Sequence, residues 1–240
     1  MIPLRDNVPS RTYPVVNVTL IVINVLVFFY QVLLGPELGG FVKEFAVIPA
    51  RYFHAVYVTP SGGLRPLETQ DLVIPLLVSM FMHGGWLHLI GNMVYLWIFG
   101  DNVEDRVGHG RYVVFYLLCG VTASLAHIWF NPDSRVPSLG ASGAIAGVLS
   151  AYLLLYPRAR VLVLLPLFFF WQVLEVPALF FLGFWFLQNF FYGVLDLGVH
   201  SAQTGGTAWW AHIGGFVAGA VLVRLFAQRQ YRPAVPTAWW

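Results

Sequence analysis

Charge is what this sequence has least of. Its 240 residues include 13 Lys and Arg and 11 Asp and Glu, so 10% are charged, against roughly 25% in an average soluble domain. A soluble globule of this length could not cover its surface with so few charges. Disorder is excluded too, because disordered chains are poor in apolar residues and here 58% are hydrophobic and 17% aromatic. An excess of one sign is also missing: a formal net charge of +2, with no basic cluster, excludes nucleic acid as the expected partner. Cysteine is nearly absent, and the lone Cys119 allows no internal disulfide and no cysteine-rich metal site. There is no His-Glu-x-x-His pair for zinc. No metal and no cofactor is therefore expected, and the lipid bilayer is the solvent that this composition fits.

What is abundant is uncharged sequence. Charge-free runs cover 12–36, 72–100, 112–132, 136–157, 161–174, 176–195 and 197–223. A helix needs about 20 residues to cross roughly 30 Å of hydrocarbon, and all but 161–174 reach that length. In lipid the backbone must bond to itself, so unbroken apolar runs of this length predict helices rather than barrel strands. The run 161–174 is short and carries Pro166, which predicts an interfacial or re-entrant segment. His83-Gly84-Gly85 is a poor helix interior, so the second span is expected to start at Trp86. The expectation is an all-α membrane protein of one domain, residues 1–240. Its six transmembrane helices fall at about 15–34, 86–103, 112–130, 139–157, 176–195 and 208–226, with a long first loop at 35–85.

Lys and Arg set the expected orientation. With six spans both termini share a side, which holds Arg5, Arg11, Arg106, Arg111, Arg158, Arg160, Arg224, Arg229 and Arg232; the other holds Lys43, Arg51, Arg65 and Arg135. The positive-inside rule then predicts a multi-pass protein of the cell (inner) membrane with both termini cytoplasmic. No small-residue cleavage site follows the first apolar run, so 15–34 is expected to be a retained helix rather than a signal peptide.

Polar residues within a span are costly and therefore point to function. They are His88 and Asn92 in the second span, His127 in the third, Ser142 at the start of the fourth, Gln188 and Asn189 in the fifth and His212 in the sixth. Depth selects among them. The second and sixth spans enter from outside, and the fourth starts there, so His88, Asn92, Ser142 and His212 fall at similar depth near the external surface. His88 and Asn92, four apart, share one helix face. A hydroxyl, two imidazoles and a carboxamide suit acyl transfer. Each also has a plainer reading: Ser142 as a small packing residue, His212 bonded to neighbouring backbone, and Asn92 as a bridge between helices. Gly143-x-x-x-Gly147 and Gly215-x-x-x-Gly219 are small-residue seams that let helices approach closely. Packing them together would bring Ser142 toward His212.

Quoted together, HGGWLHLIGNMVYLWIFGDNVEDRVG, GASGAIAG and AHIGGFVAG resemble the signature elements of rhomboid intramembrane serine proteases. These are a His-x-x-x-Asn on the second helix, a Gly-x-Ser-Gly on the fourth and a His-x-x-Gly-x-x-x-Gly on the sixth. The resemblance implies a six-transmembrane-helix rhomboid-like bundle with a Ser–His dyad in a water-filled cavity open to the extracellular or periplasmic side. By motif, Ser142 resembles the nucleophile and His212 the general base and acid. His88 and Asn92 resemble the side-chain donors of the oxyanion hole, helped by the Ser142 backbone N–H. His83 falls where rhomboids often carry a histidine near that hole. Glu104 and Arg106 fit a structural motif after the second helix, where charge pairing is expected. The substrates implied are the transmembrane segments of other proteins. Two positions depart from the family pattern. Ala146 stands where some members place a Tyr against the catalytic His, and Arg51-Tyr52-Phe53 where some carry a Trp-Arg pair.

With no carboxylate in the spans to orient His212, a dyad is expected, its imidazole held by packing or another polar neighbour, with slow turnover. Gly84-Gly85 and Gly205-Gly206 are candidate hinges for substrate entry. The competing reading is a catalytically inactive rhomboid-like protein that binds client membrane helices; such proteins lack the Ser or the His. A transporter would line a mid-membrane path and show an inverted repeat. A zinc site from His83, His88 and His212 would lack any acidic or cysteine ligand.

Overall fold

Long apolar runs become helices where the sequence supplies a start and a stop. The computed structural model of the chain describes residues 1–53, 56–58, 62–167, 170–199 and 208–228. Within them run α1 (Val15–Leu33), α2 (Leu38–Phe45), α3 (Thr69–Val78), α4 (Trp86–Val107), α5 (His109–Phe130), α6 (Ser142–Leu155), α7 (Ala178–Val199) and α8 (Trp209–Phe226). Pro14 stands at the cap before α1, where a missing N–H costs nothing. Gly108 turns α4 into α5 within one residue, at a φ of 88° that favours glycine. Arg229, Arg232 and Gly205-Gly206 lie outside the described residues.

Helices occur at each of the six expected positions. Among the described residues, four are long and apolar enough to cross a membrane: Val15–Leu33, His109–Phe130, Ala178–Asp196 and Trp209–Phe226. A fifth span forms if Thr69–Phe81 and Trp86–Val107 are taken together, bent by 79° at the break. That bend falls at His83-Gly84-Gly85. α6 has 14 residues, about 21 Å of helix, short of the roughly 30 Å of hydrocarbon.

The expectation of an all-α chain is corrected by two small antiparallel sheets. β1 (Ile2–Asp6), β4 (Arg160–Leu167) and β5 (Phe170–Pro177) form one in the order β1-β4-β5; β2 (Val56–Val58) and β3 (Leu64–Pro66) form the other. The stretch 161–174 is thus a hairpin, its register running from Arg160 opposite Pro177 to Leu167 opposite Phe170. Val161 and Val163 are buried while Leu162 and Leu164 are half-buried, the two-residue period of a strand. The Arg160–Glu175 ion pair, at 3.0 Å, closes the hairpin base. The expected loop 35–85 is likewise structured, holding α2, α3 and the β2–β3 pair.

α6 is the centre of the bundle. Ten consecutive residues, Gly143 to Tyr152, are buried, as expected of a helix surrounded by others. α5 and α8 flank it, and glycine makes the approach possible: a Cβ on Gly215 would collide with the Gly143 carbonyl, and one on Gly219 with the Gly147 carbonyl. The two seams expected from sequence do pack on each other.

α1 is tied in by polar groups. Asn17, Asn24 and Gln31 are buried and lie on one face because they recur every seven residues. Asn17 donates to the Leu96 carbonyl at 2.9 Å and accepts from the Tyr112 hydroxyl at 3.0 Å. Glu104, fully buried, accepts the backbone N–H groups of Val16 at 3.0 Å and Asn17 at 2.6 Å and contacts His109. It therefore caps α1 with its carboxylate, favourable at a helix N-terminus. Glu104, expected to pair charges, meets two backbone donors and His109, and Arg106 donates to the Gln228 carbonyl at 2.6 Å.

Candidate active site

Ser142 begins α6 because Gly140 and Ala141 turn the chain into it. Gly140 has a φ of 133°, and a Cβ there would strike the His88 ring, so glycine is needed twice over. Its N–H donates to the Ser79 carbonyl at 2.9 Å. The preceding strand-like stretch is pinned to the first loop by Val47 and Ser138, which exchange backbone hydrogen bonds of 3.0 and 2.7 Å. Ala50 N–H adds a bond to the Ser134 carbonyl at 2.9 Å, and within the first loop the Tyr52 hydroxyl donates to the Leu72 carbonyl at 2.9 Å. These bonds tie the stretch around Arg51-Tyr52-Phe53 to its surroundings.

Ala141 at the cap of α6 makes no side-chain bond to it, and the N–H groups of a first turn have no intrahelical partner. Those of α6 border a small cavity lined by Met80, Gly120, Leu139, Gly140, Ser142 and Gly143 among others. The positive end of the helix dipole lies there as well.

The structure brings Ser142 and His212 together. The hydroxyl of Ser142, half-buried, lies 2.8 Å from Nε2 of His212, whose side chain is buried. His212 sits in the first turn of α8, and the glycine seam below sets its distance from α6. Its other nitrogen, Nδ1, lies 2.6 Å from the carboxamide oxygen of Asn189 on α7. Trp185, one turn earlier on α7, lies beside the imidazole, with ring centroids 5.6 Å apart at 34°. Trp209 stands nearly perpendicular at 6.3 Å. An indole from α7 thus flanks the histidine where the position four residues after Ser142 is only Ala146.

His88 is half-buried on the first turn of α4. Its Nδ1 accepts the Gly84 N–H at 3.3 Å, so in the neutral ring the proton is on Nε2. That nitrogen faces Gly140, two residues before Ser142. Asn92 is buried, and its amide nitrogen has no acceptor among the described residues. A buried donor of that kind is costly unless something else uses it. His83 is buried and packs edge-on against His88, centroids 5.1 Å apart. Both its ring nitrogens lack partners among the described residues, while Gln31 clamps its backbone from both sides, accepting from its N–H at 2.9 Å and donating to its carbonyl at 3.2 Å.

The other polar candidates lie elsewhere. His127 pairs with Asn131 at the end of α5, and Gln188 is exposed. Among the described residues no group of three or more His, Cys, Asp or Glu side chains is placed to hold a metal ion. Sequence reasoning missed Asn189 as a neighbour of His212 and Gln31 as the clamp on His83. Gln31 carried a signal in its seven-residue spacing from Asn24 and Asn17.

The chain is similar to known proteins over much of its length. The family description Rhomboid domain matches residues 70–229, which include all four helices that carry the site. Rhomboid protein 1, mitochondrial, of Saccharomyces cerevisiae is 36% identical over 93 residues, 37% of this chain and 27% of that protein. Rhomboid protease GluP of Bacillus subtilis is 45% identical over 78 residues, 32% of this chain and 15% of its own length. The human presenilin-associated rhomboid-like protein, mitochondrial, is 35% identical over 102 residues, 41% of this chain and 27% of that protein. The matched stretches span about a quarter or less of these relatives. With the family match running over two thirds of the sequence and apolar helices throughout, the chain is an integral membrane protein that belongs to the rhomboid family.

Proposed function

We propose that this chain is an intramembrane serine endopeptidase that hydrolyses peptide bonds in or near transmembrane segments of other membrane proteins. The observation that carries this reading is the 2.8 Å approach of the Ser142 hydroxyl to His212 Nε2 at the start of α6. A serine hydroxyl is a weak nucleophile until a base takes its proton, and here a base stands at bonding distance. Ser142 Oγ adds to the scissile carbonyl as its proton passes to His212. The tetrahedral oxyanion is met by the Ser142 N–H, the Asn92 amide and His88 Nε2–H. Each such donor contributes roughly 3–4 kcal/mol in comparable sites. Collapse breaks the C–N bond, His212 protonates the departing amine, and water then releases the acyl group through the same base.

The same reading takes the domain as residues 1–240, with six crossings: α1, α4 with α3 as its bent entry, α5, the short α6, α7 and α8. Both termini and the β1-β4-β5 sheet face the cytoplasm, and Ser142 opens toward the extracellular or periplasmic side of a cell membrane. The basic residues favour this orientation. Because α6 is shorter than the hydrocarbon, Ser142 lies below the surface, where a substrate helix must unwind locally to reach it. Small or helix-breaking residues lower that cost. Both Ser142 and His212 are present and paired, which favours catalysis over the binding of client helices without cleavage.

The test is cleavage of a reporter transmembrane substrate by the full chain in liposomes. The wild type should cut near the outer end of the segment, and Ser142→Ala and His212→Ala should each abolish cutting while remaining folded. Cleavage equal to wild type in either variant overturns the assignment.

A further inference from the structure

His212 has a second hydrogen-bonding partner that the rhomboid-like motifs do not include. Asn189 is buried at 4% exposure on α7, with its carboxamide oxygen 2.6 Å from His212 Nδ1. Its amide nitrogen donates to the Trp185 carbonyl at 2.7 Å. That second bond settles which end of the amide faces the histidine, because a carbonyl can only accept. Asn189 therefore presents its oxygen, an acceptor, to Nδ1, and Nδ1 must carry the ring proton. In the neutral imidazole that leaves a bare lone pair on Nε2, pointing at the Ser142 hydroxyl 2.8 Å away. This is the tautomer that a general base requires.

We propose that Asn189 is a positioning residue that completes a Ser142–His212–Asn189 triad. It selects the Nδ1–H tautomer, fixes the plane of the ring together with Trp185, and gains strength as a hydrogen-bond acceptor when His212 becomes cationic. The proposal rests on the reading of Ser142 and His212 as nucleophile and base.

A plainer role exists for Asn189. An amide in an apolar helix can satisfy itself by bonding back to the carbonyl four residues earlier, as Asn24 does to Leu20 at 2.7 Å. Asn189 does this with its nitrogen, but its oxygen is left for another element, and that element presents His212. A carboxylate in this place would bury a charge, which is costly before any pairing. A carboxamide orients the base without that cost. Trp185 links the two effects, since its carbonyl holds the Asn189 amide while its indole flanks the His212 ring.

The experiment measures kcat and KM for a reporter transmembrane substrate with the full chain in liposomes, alongside thermal unfolding. Asn189→Leu keeps the volume and removes the acceptor; Asn189→Asp keeps an acceptor at the same place. The expected result is a kcat lower by about 10²- to 10⁴-fold in Asn189→Leu, the range of a misplaced tautomer in comparable sites, with KM within about twofold. Asn189→Asp should recover at least about tenfold of that loss. Should Asn189→Leu fail to fold, Asn189→Ser carries the same expectation, because its hydroxyl is too short to reach Nδ1. A folded Asn189→Leu or Asn189→Ser with wild-type kcat overturns the proposal, as does a folded Asn189→Asp no better than Asn189→Leu. Ser142→Ala and His212→Ala separate the two levels. If both still cleave, the catalytic pair itself is wrong; if both are dead and Asn189→Leu is fully active, only the triad is.

Discussion

Gly215 on α8 meets the Gly143 carbonyl on α6 so closely that a Cβ at Gly215 has no room. Three residues earlier on α8 stands His212, and one residue earlier on α6 stands Ser142. The glycine contact and the Ser142–His212 hydrogen bond therefore report the same distance between helices. Gly215→Ala would ordinarily stabilise a helix interior by roughly 0.5–1 kcal/mol. Here it should destabilise by about 1–3 kcal/mol through overpacking and push the base away from the hydroxyl. The expected outcome is a lower unfolding temperature and a kcat reduced at least about tenfold, since even an ångström of misplacement can cost ~10²-fold. An equally stable and active Gly215→Ala would show that the seam does not set the distance.

Asn92 offers a buried amide nitrogen with no acceptor among the described residues, and His88 turns its Nε2 toward Gly140. Donors that meet the oxyanion act mainly in the transition state. Asn92→Ala should therefore lower kcat by roughly 10²-fold with little change in KM. His88→Ala should behave in the same way and to a smaller degree. A raised KM at unchanged kcat would assign these groups to substrate binding instead.

At the other end of the bundle, Asp6 accepts the Tyr152 hydroxyl at 2.5 Å. Burial pushes its carboxyl from the ordinary 3.8 up to about 7, against the opposing pull of that hydrogen bond and with a further rise from Asp101. The folded state thus holds a proton that the unfolded chain releases near pH 4. The resulting stability is fully present below about pH 4 and is lost as pH rises through about 7. Relative to Asp6→Asn, the wild type should become less stable between pH 5 and 8. Each kcal/mol of that change moves the unfolding temperature by about 2–4 °C at this chain length. Parallel pH profiles for the two proteins would mean that Asp6 keeps its ordinary acidity.

The parts of the fold that were legible in the sequence are those written in local runs. Helix positions followed from charge-free length, and the Gly143 and Gly215 seams and the His88–Asn92 face followed from helical spacing. The sheet was not legible, because β1 and β4 lie about 160 residues apart and a short apolar run does not distinguish strand from helix. Within the site, Ser142, His212, His88 and Asn92 could be selected by depth. Asn189 escaped because it is the twelfth residue of α7, mid-helix by counting. Only the packing of α7 on α8 carries its amide to His212. The Asn17, Asn24 and Gln31 repeat on α1 was visible but reads as ordinary polarity until its partners are known.

The central claim is that Ser142 is a nucleophile activated by His212, and the most direct measurement is labelling by a fluorophosphonate serine probe in membranes. The full chain should be labelled at Ser142, as located by peptide mass mapping. Labelling should vanish in Ser142→Ala and fall by at least about 10³-fold in rate in His212→Ala. Labelling that persists in Ser142→Ala, or that is as fast without His212 as with it, would contradict the account.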